Sequence, residues 1–252
     1  MFNILKKQIS WQIVPEYKNT LSDTEFQSFD DAFNSQGEYV SGNVYKVSIK
    51  EKNYYLKKFG LRKRLIPRYL NPSKVKNEWQ NMLWFRTLGI PAAKVVAYGQ
   101  ETRGWVVCRG IIITEELLDC RDLSEVADNH RELLQQPEWV AQVSHQLAEV
   151  TRTMHQHSFA HSDLKWRNIM VDIKADYPQI YLIDCPAGMK WYKPFLEYRI
   201  IKDLACLDKR AKYELSKKQR LAFYKDYAQC QKLSAKDKQR INKIVGFFHN
   251  RE

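Results

Sequence analysis

A chain of 252 residues, 44% hydrophobic and 28% charged, holds enough apolar material for one large core or two small ones, which excludes a disordered protein. No apolar run approaches the roughly 20 residues that a helix needs to cross a bilayer, and the N-terminus lacks signal-peptide order, so a cytoplasmic protein is expected. The net charge of +12 points to an anionic partner: nucleic acid, acidic lipid headgroups or a phosphorylated substrate.

Cys108, Cys120, Cys185, Cys206 and Cys230 are odd in number and lack the paired short spacing of zinc or redox sites, so they are read as reduced. Residues 1–36 form a lead-in segment with one predicted helix, in which Ser22-Asp23-Thr24-Glu25 is a capping box and Phe26, Phe29 and Phe33 share a core face. Next, Gly37-Glu38-Tyr39-Val40-Ser41-Gly42-Asn43-Val44 and the alternating run to Ile49 predict a strand, a glycine turn and a second strand. Against the nucleotide-covering pattern G-x-G-x-x-G-x-V this stretch supplies Gly37, Gly42 and Val44, with Tyr39 at the middle glycine; an ordinary hairpin turn explains the same letters.

A third strand follows a polar turn at residues 50–53. Alternation places Tyr55, Lys57 and Phe59 on one side and Leu56 with Lys58 on the other, so only one lysine can face a cleft. Lys57 fits the apolar-apolar-Lys order better, and Lys58 stays open. A helix starting at Pro72-Ser73 and ending at Gly89 carries Val75, Trp79 and Leu83 on its apolar side, and Glu78 within it can pair with the strand lysine. Between them, residues 57–76 hold eight Lys or Arg and no acid, interleaved with Leu61, Leu65, Ile66, Tyr69 and Leu70; Arg62, Lys63, Arg64 and Arg68 of this stretch are expected to rest on an anionic membrane surface.

Short strands are predicted at residues 95–97, 105–107 and 111–114, and the fold expected of this region is a five-stranded sheet with one main helix. A junction near 117 then divides the chain into an N-terminal lobe, 1–117, and a mainly helical lobe, 118–252. Pro137, Val140, Val143, Leu147, Val150 and Met154 outline an amphipathic helix of about five turns, with His155 and His157 at its electrostatically favourable end. It leads into His161-Ser162-Asp163-Leu164-Lys165-Trp166-Arg167-Asn168. This Asp, with a Lys two residues on and an Asn five residues on, can place a base, a cation and a metal ligand around a transferring phosphate. Two short apolar runs then deliver Asp184, followed by a basic, aromatic loop with Lys190, Trp191, Tyr192 and Lys193. Three helices finish the chain: one holding Asp203, Leu204, Leu207 and Ala211, and two starting at boxes beginning with Ser216 and Ser234.

The joint order of Lys57, Glu78, the Asp163 loop and Asp184 resembles the protein-kinase-like fold. Glu78-Trp79-Gln80-Asn81, Gly89-Ile90-Pro91, Thr114-Glu115-Glu116-Leu117, Ile183-Asp184-Cys185-Pro186 and Lys202-Asp203-Leu204-Ala205-Cys206-Leu207-Asp208 narrow the resemblance to the bacterial lipopolysaccharide kinase family over roughly residues 37–228. That resemblance implies an α+β, two-lobed kinase using ATP and Mg2+. Lys57, oriented by Glu78, would meet the ATP phosphates, with Gly37, Gly42, Val44, Glu115 and Leu117 as further nucleotide contacts. Asp163 would orient the acceptor hydroxyl, Lys165 would offset phosphate charge, and Asn168 and Asp184 would ligate the metal. Asp203 would hydrogen-bond the loop backbone, and His161 would pack and hydrogen-bond within the loop rather than act as a base.

Asp-Cys-Pro in place of Asp-Phe-Gly, no Ala-Pro-Glu, and only 68 residues after Asp184 leave little chain for docking a peptide. The expected acceptor is therefore a sugar hydroxyl of the lipopolysaccharide core or a related glycolipid, met at the cytoplasmic face by an enzyme peripheral to the inner membrane. The alternatives are a kinase for a protein or small molecule, a nucleotide-binding pseudokinase scaffold, and a nucleic-acid module suggested by charge alone; no nucleic-acid partner is expected.

Overall fold

The computed structural model describes residues 6–21, 24, 26–60, 74–104 and 106–249. The chain forms two compact units, Met1–Leu83 with Ala93–Leu117, and Trp84–Ala92 with Leu118–Glu252.

The first unit is an antiparallel sheet. Strand β1 is Lys7–Ile13, β2 Glu38–Ser41, β3 Val44–Ile49, β4 Lys52–Gly60, β5 Val95–Arg103 and β6 Val106–Glu115, in the order β1-β5-β6-β4-β3-β2. Two points differ from the sequence expectation. Residues 106–115 form one continuous strand rather than two, because Arg109, Gly110 and Ile111 pair with strands on both sides, Gly110 lying opposite Phe59 and Gln100. The lead-in segment also contributes a sixth strand, with Lys7 opposite Arg103 and Ile13 opposite Ala97.

Between β1 and β2 lie a 3-10 turn at Pro15–Tyr17, α1 at Lys18–Leu21 and α2 at Phe29–Asn34. The expected helix is shorter than predicted, because Ser28 caps it by accepting from the Asp31 N–H. Ser22, Asp23 and Glu25 of the expected box lie outside the described residues. Phe26 and Phe29 are core residues with Leu21, Tyr54, Leu56 and Ile111, as expected of an apolar face. Helix α3, Lys74–Thr87, closes with Gly89 in a left-handed conformation and the Ile90 N–H bonded to the Phe85 carbonyl at 3.0 Å, a Schellman-type stop. Pro72, Ser73 and the basic residues Arg62, Lys63, Arg64 and Arg68 lie outside the described residues.

In the second unit β7 (Cys120–Asp122), β9 (Ile169–Asp172) and β10 (Ile180–Leu182) form a small sheet in the order β10-β9-β7, while β8 (Phe159–Ala160) pairs with β11 (Met189–Lys190). The helices are α4 (Leu123–Asn129), α5 (Arg131–Leu134), α6 (Pro137–Gln156), α7 (Phe195–Glu214), α8 (Lys217–Ala228) and α9 (Ala235–Val245). Proline at the first turn of α6 starts it without losing a hydrogen bond, and the predicted apolar stripe from Val140 to Met154 is buried. Both predicted capping boxes form, Ser216 with Gln219 and Ser234 with Asp237. Leu204, Ala205, Tyr224, Tyr227 and Ile244 close the core around Ala148.

Candidate active site

Pleating decides the first-unit residues. Val44 and Ile112 lie opposite Lys57 on the strands flanking β4, so the three share one face of the sheet. From that face the Lys57 ammonium reaches the buried Glu78 carboxylate at 2.8 Å. Lys58 points to the other face, where its ammonium donates to the Ser35 carbonyl at 2.6 Å and lies 4.9 Å from the centre of the Tyr45 ring. Burial lowers its pKa. Of the two lysines that periodicity left open, Lys57 is the one paired with Glu78.

Gly37 precedes β2, and Gly42 forms the turn into β3 with a positive φ of 55°. Tyr39, at the place of the missing glycine, accepts the Gly42 N–H with its hydroxyl at 2.9 Å, so a side chain holds this turn. At the end of β6, Glu115 donates its N–H to the Lys94 carbonyl and accepts from the Tyr17 hydroxyl at 2.8 Å. Burial and that carboxylate push the Tyr17 phenol above its ordinary value. Glu116 binds Lys46 at 2.7 Å and Asn53 at 2.6 Å, and Leu117, half-buried, is the last residue of this unit.

In the second unit the loop bearing Asp163 is held from beneath by α7. Asp203, wholly buried, accepts the His161 N–H at 2.7 Å through Oδ2 and the Ser162 N–H at 2.8 Å through Oδ1. Two charge-assisted bonds to successive amides fix the backbone just before Asp163. Ser162 takes a left-handed φ of 66°, and its carbonyl accepts from the Lys202 ammonium at 3.0 Å. Consecutive residues of α7 therefore grip both sides of one strained residue.

Asp163 lies 2.5 Å from the Lys165 ammonium, and the Asn168 amide donates to the Asp163 carbonyl at 2.8 Å. Burial alone would raise the Asp163 pKa, but the Lys165 hydrogen bond and the charges of Lys165 and Arg167 outweigh it and hold the carboxyl below its ordinary value. The His161 ring is buried parallel to Phe85, with centroids 6.4 Å apart, and its nitrogens have no hydrogen-bond partner among the described residues. Desolvation lowers its pKa. It packs as expected, and the loop hydrogen bonding comes from its backbone.

Leu182 pairs with Ile169 across the small sheet, and just beyond, the Ile183 N–H donates to the Asn168 carbonyl at 3.0 Å. The ladder thus brings Asp184, which has a φ of 60°, beside Asn168 in the backbone. With the Asn168 amide nitrogen turned to Asp163, its oxygen and the Asp184 carboxylate are hard donors suited to Mg2+, which keeps waters and phosphate oxygens for its other positions.

Two residues acquire contacts that the sequence reading did not assign. His155, expected as a helix-end charge, is buried and bonds Tyr227 at 2.8 Å and Asp203 at 3.4 Å. Its spacing of four from Thr151 and eight from Leu147, both buried, was the available signal. Lys202 was visible only as a neighbour of Asp203.

The sequence matches the lipopolysaccharide kinase (Kdo/WaaP) family over residues 27–227. The chain belongs to that family. It is accordingly a phosphotransferase with an alcohol group as acceptor. Among solved structures, one described as WaaP in complex with acyl carrier protein is similar, with a TM-score of 0.73 and 19% identity over 95% of this chain and 96% of that chain. That likeness establishes the expected α+β, protein-kinase-like fold for this kinase. No curated protein sequence matches it.

Proposed function

We propose that this kinase transfers the γ-phosphoryl group of ATP to a sugar hydroxyl of the lipopolysaccharide inner core at the cytoplasmic membrane face. The observation that supports this most is the Asp163 loop, held at two backbone amides by Asp203 inside the matched family region. Asp163, kept ionised by Lys165, receives the proton as the acceptor oxygen bonds to phosphorus, and ADP leaves with the electrons of the broken P–O bond. Lys165 offsets charge on the moving phosphoryl group. Lys57, held by Glu78, meets the α and β phosphates, with Gly37, Gly42, Val44, Glu115 and Leu117 as the further nucleotide contacts. Asn168 and Asp184 would hold Mg2+, which when bound neutralises phosphate charge. Core oligosaccharide from cells with and without the gene should differ by one phosphate mass. Purified protein that labels only polypeptide when given ATP and cell fractions would overturn the assignment.

A second reading concerns a protein partner. The second unit carries a partly open apolar pocket of about 380 Å³ walled by Val140, Val143, Leu147, Leu204 and Ile244, with Lys217 and Arg220 among its polar residues. That volume falls in the range that holds a ligand-sized apolar body. Together with the partner named for the similar WaaP structure, it supports an acylated acyl carrier protein as a partner here. Gel filtration should show a complex with the acylated carrier and none with the unacylated form; equal binding of both would remove the pocket from this reading.

A further inference from the structure

We propose that residues 189–199 form the surface by which this kinase seats on a bilayer containing anionic lipid. Four large apolar side chains in this short span face solvent: Met189 is 49% exposed, Tyr192 83%, Phe195 64% and Tyr198 45%. A single exposed apolar side chain needs no explanation, but a group of them does.

The span is built in place. Met189 and Lys190 pair with Ala160 and Phe159, and the Trp191 N–H donates to the Ser158 carbonyl at 2.8 Å. The Arg199 guanidinium covers the Trp191 ring at 4.0 Å, and Tyr198 leans on Phe247 with centroids 5.5 Å apart. Phe195 and Tyr198, three residues apart in the first turn of α7, share a helix face. The exposed rings therefore stand on a fixed base.

The charge is one-sided. Lys190, Lys193 and Arg199 supply three cations, while the span's one acid, Glu197, is held by Arg240 through two contacts at 2.9 and 3.0 Å. Aromatic rings that are apolar along the body and polar at the tip, beside basic side chains, are the composition of a membrane–water interface. Each cation adds attraction to anionic headgroups that fades within a Debye length. Choosing a membrane as the partner rests on the glycolipid acceptor proposed above; the surface itself does not.

The test is sedimentation of the full chain with phosphatidylcholine vesicles, with and without phosphatidylglycerol, in the absence of nucleotide and acceptor. A Tyr192→Ser/Phe195→Ser variant should bind both vesicle types about tenfold more weakly. A Lys190→Gln/Lys193→Gln variant should lose about tenfold on the anionic vesicles alone, and high salt should erase that difference. All four residues are exposed, so thermal midpoints should match the parent chain. Wild-type vesicle binding by both variants would overturn the proposal. Unchanged vesicle binding with a raised KM for delipidated core oligosaccharide would do the same, and would make the surface a sugar contact. Because no turnover is measured on vesicles, failure of the kinase assignment would leave this result readable.

Discussion

The two units hold their charged residues in different ways. In the first, Lys57 on β4 and Glu78 on α3 meet side chain to side chain at 2.8 Å, so the position of the ammonium depends on two rotamers. In the second, Asp163 inherits its position from the backbone: Asp203 binds the amides of His161 and Ser162, Lys202 binds the Ser162 carbonyl, and Asn168 binds the carbonyl of Asp163 itself. A side-chain pair can be weakened one contact at a time, whereas a buried carboxylate that satisfies two amides cannot lose one without leaving an unpaired N–H in a dry interior. The second unit should therefore be the less forgiving of small chemical changes.

The largest effect should come from the supported residue itself. Asp163→Asn should lower kcat by about 10³-fold while nucleotide affinity holds, because the hydroxyl-orienting carboxylate is lost. Asp184→Asn should instead abolish magnesium-dependent nucleotide binding. Equal nucleotide affinity in the two variants, with turnover in both, would contradict the division of roles.

The contrast between units is met most directly by two isosteric changes. Asp203→Asn leaves one acceptor oxygen for two amides and should cost about 10²-fold in kcat with the KM for ATP unchanged. Glu78→Gln keeps a hydrogen-bond acceptor for Lys57 and should cost about tenfold, mostly in KM for ATP. If the two variants lost activity equally and in the same parameter, the distinction between backbone support and side-chain pairing would fail.

Lys202→Met should lower kcat about tenfold by freeing the Ser162 carbonyl. If Lys202 acts by holding Ser162 at its left-handed φ, then Ser162→Gly, which adopts that conformation without strain, should restore part of the loss in the double variant. No rescue would reduce Lys202 to a surface charge.

A smaller change is expected in pH dependence. Asp163 must be ionised to accept a proton, and its pKa is depressed, so activity should persist below the ordinary carboxylate range and fall only as pH drops through the depressed value. Removing the Lys165 hydrogen bond raises that pKa. The acid limb of kcat/KM in Lys165→Met should therefore move to higher pH, and an unmoved limb would mean that another group sets it. The smallest effect is a control: Ser216→Ala removes the α8 cap and should cost about 1 kcal/mol in denaturant unfolding, with kinetic constants unchanged.

What the sequence by itself determined is what local spacing controls. The Asp163, Lys165 and Asn168 set lies within one turn of chain, the boxes at Ser216 and Ser234 satisfy amides three residues away, and the apolar stripe of α6 repeats at helical period. Tertiary structure alone decided the rest, because each remaining choice depended on a partner distant in sequence. Strand β1 forms by pairing with residues some ninety positions later, and residues 106–115 stay one strand because Gly110 and its neighbours pair with Phe59 on one side and Gln100 on the other. Alternation separates Lys57 from Lys58 without saying which face holds Glu78. His155 and Lys202 look like ordinary helix polar residues until packing sets one against Tyr227 and Asp203 and the other against the Ser162 carbonyl. A side chain's burial and its partners belong to the assembled core, and no window of the sequence contains them.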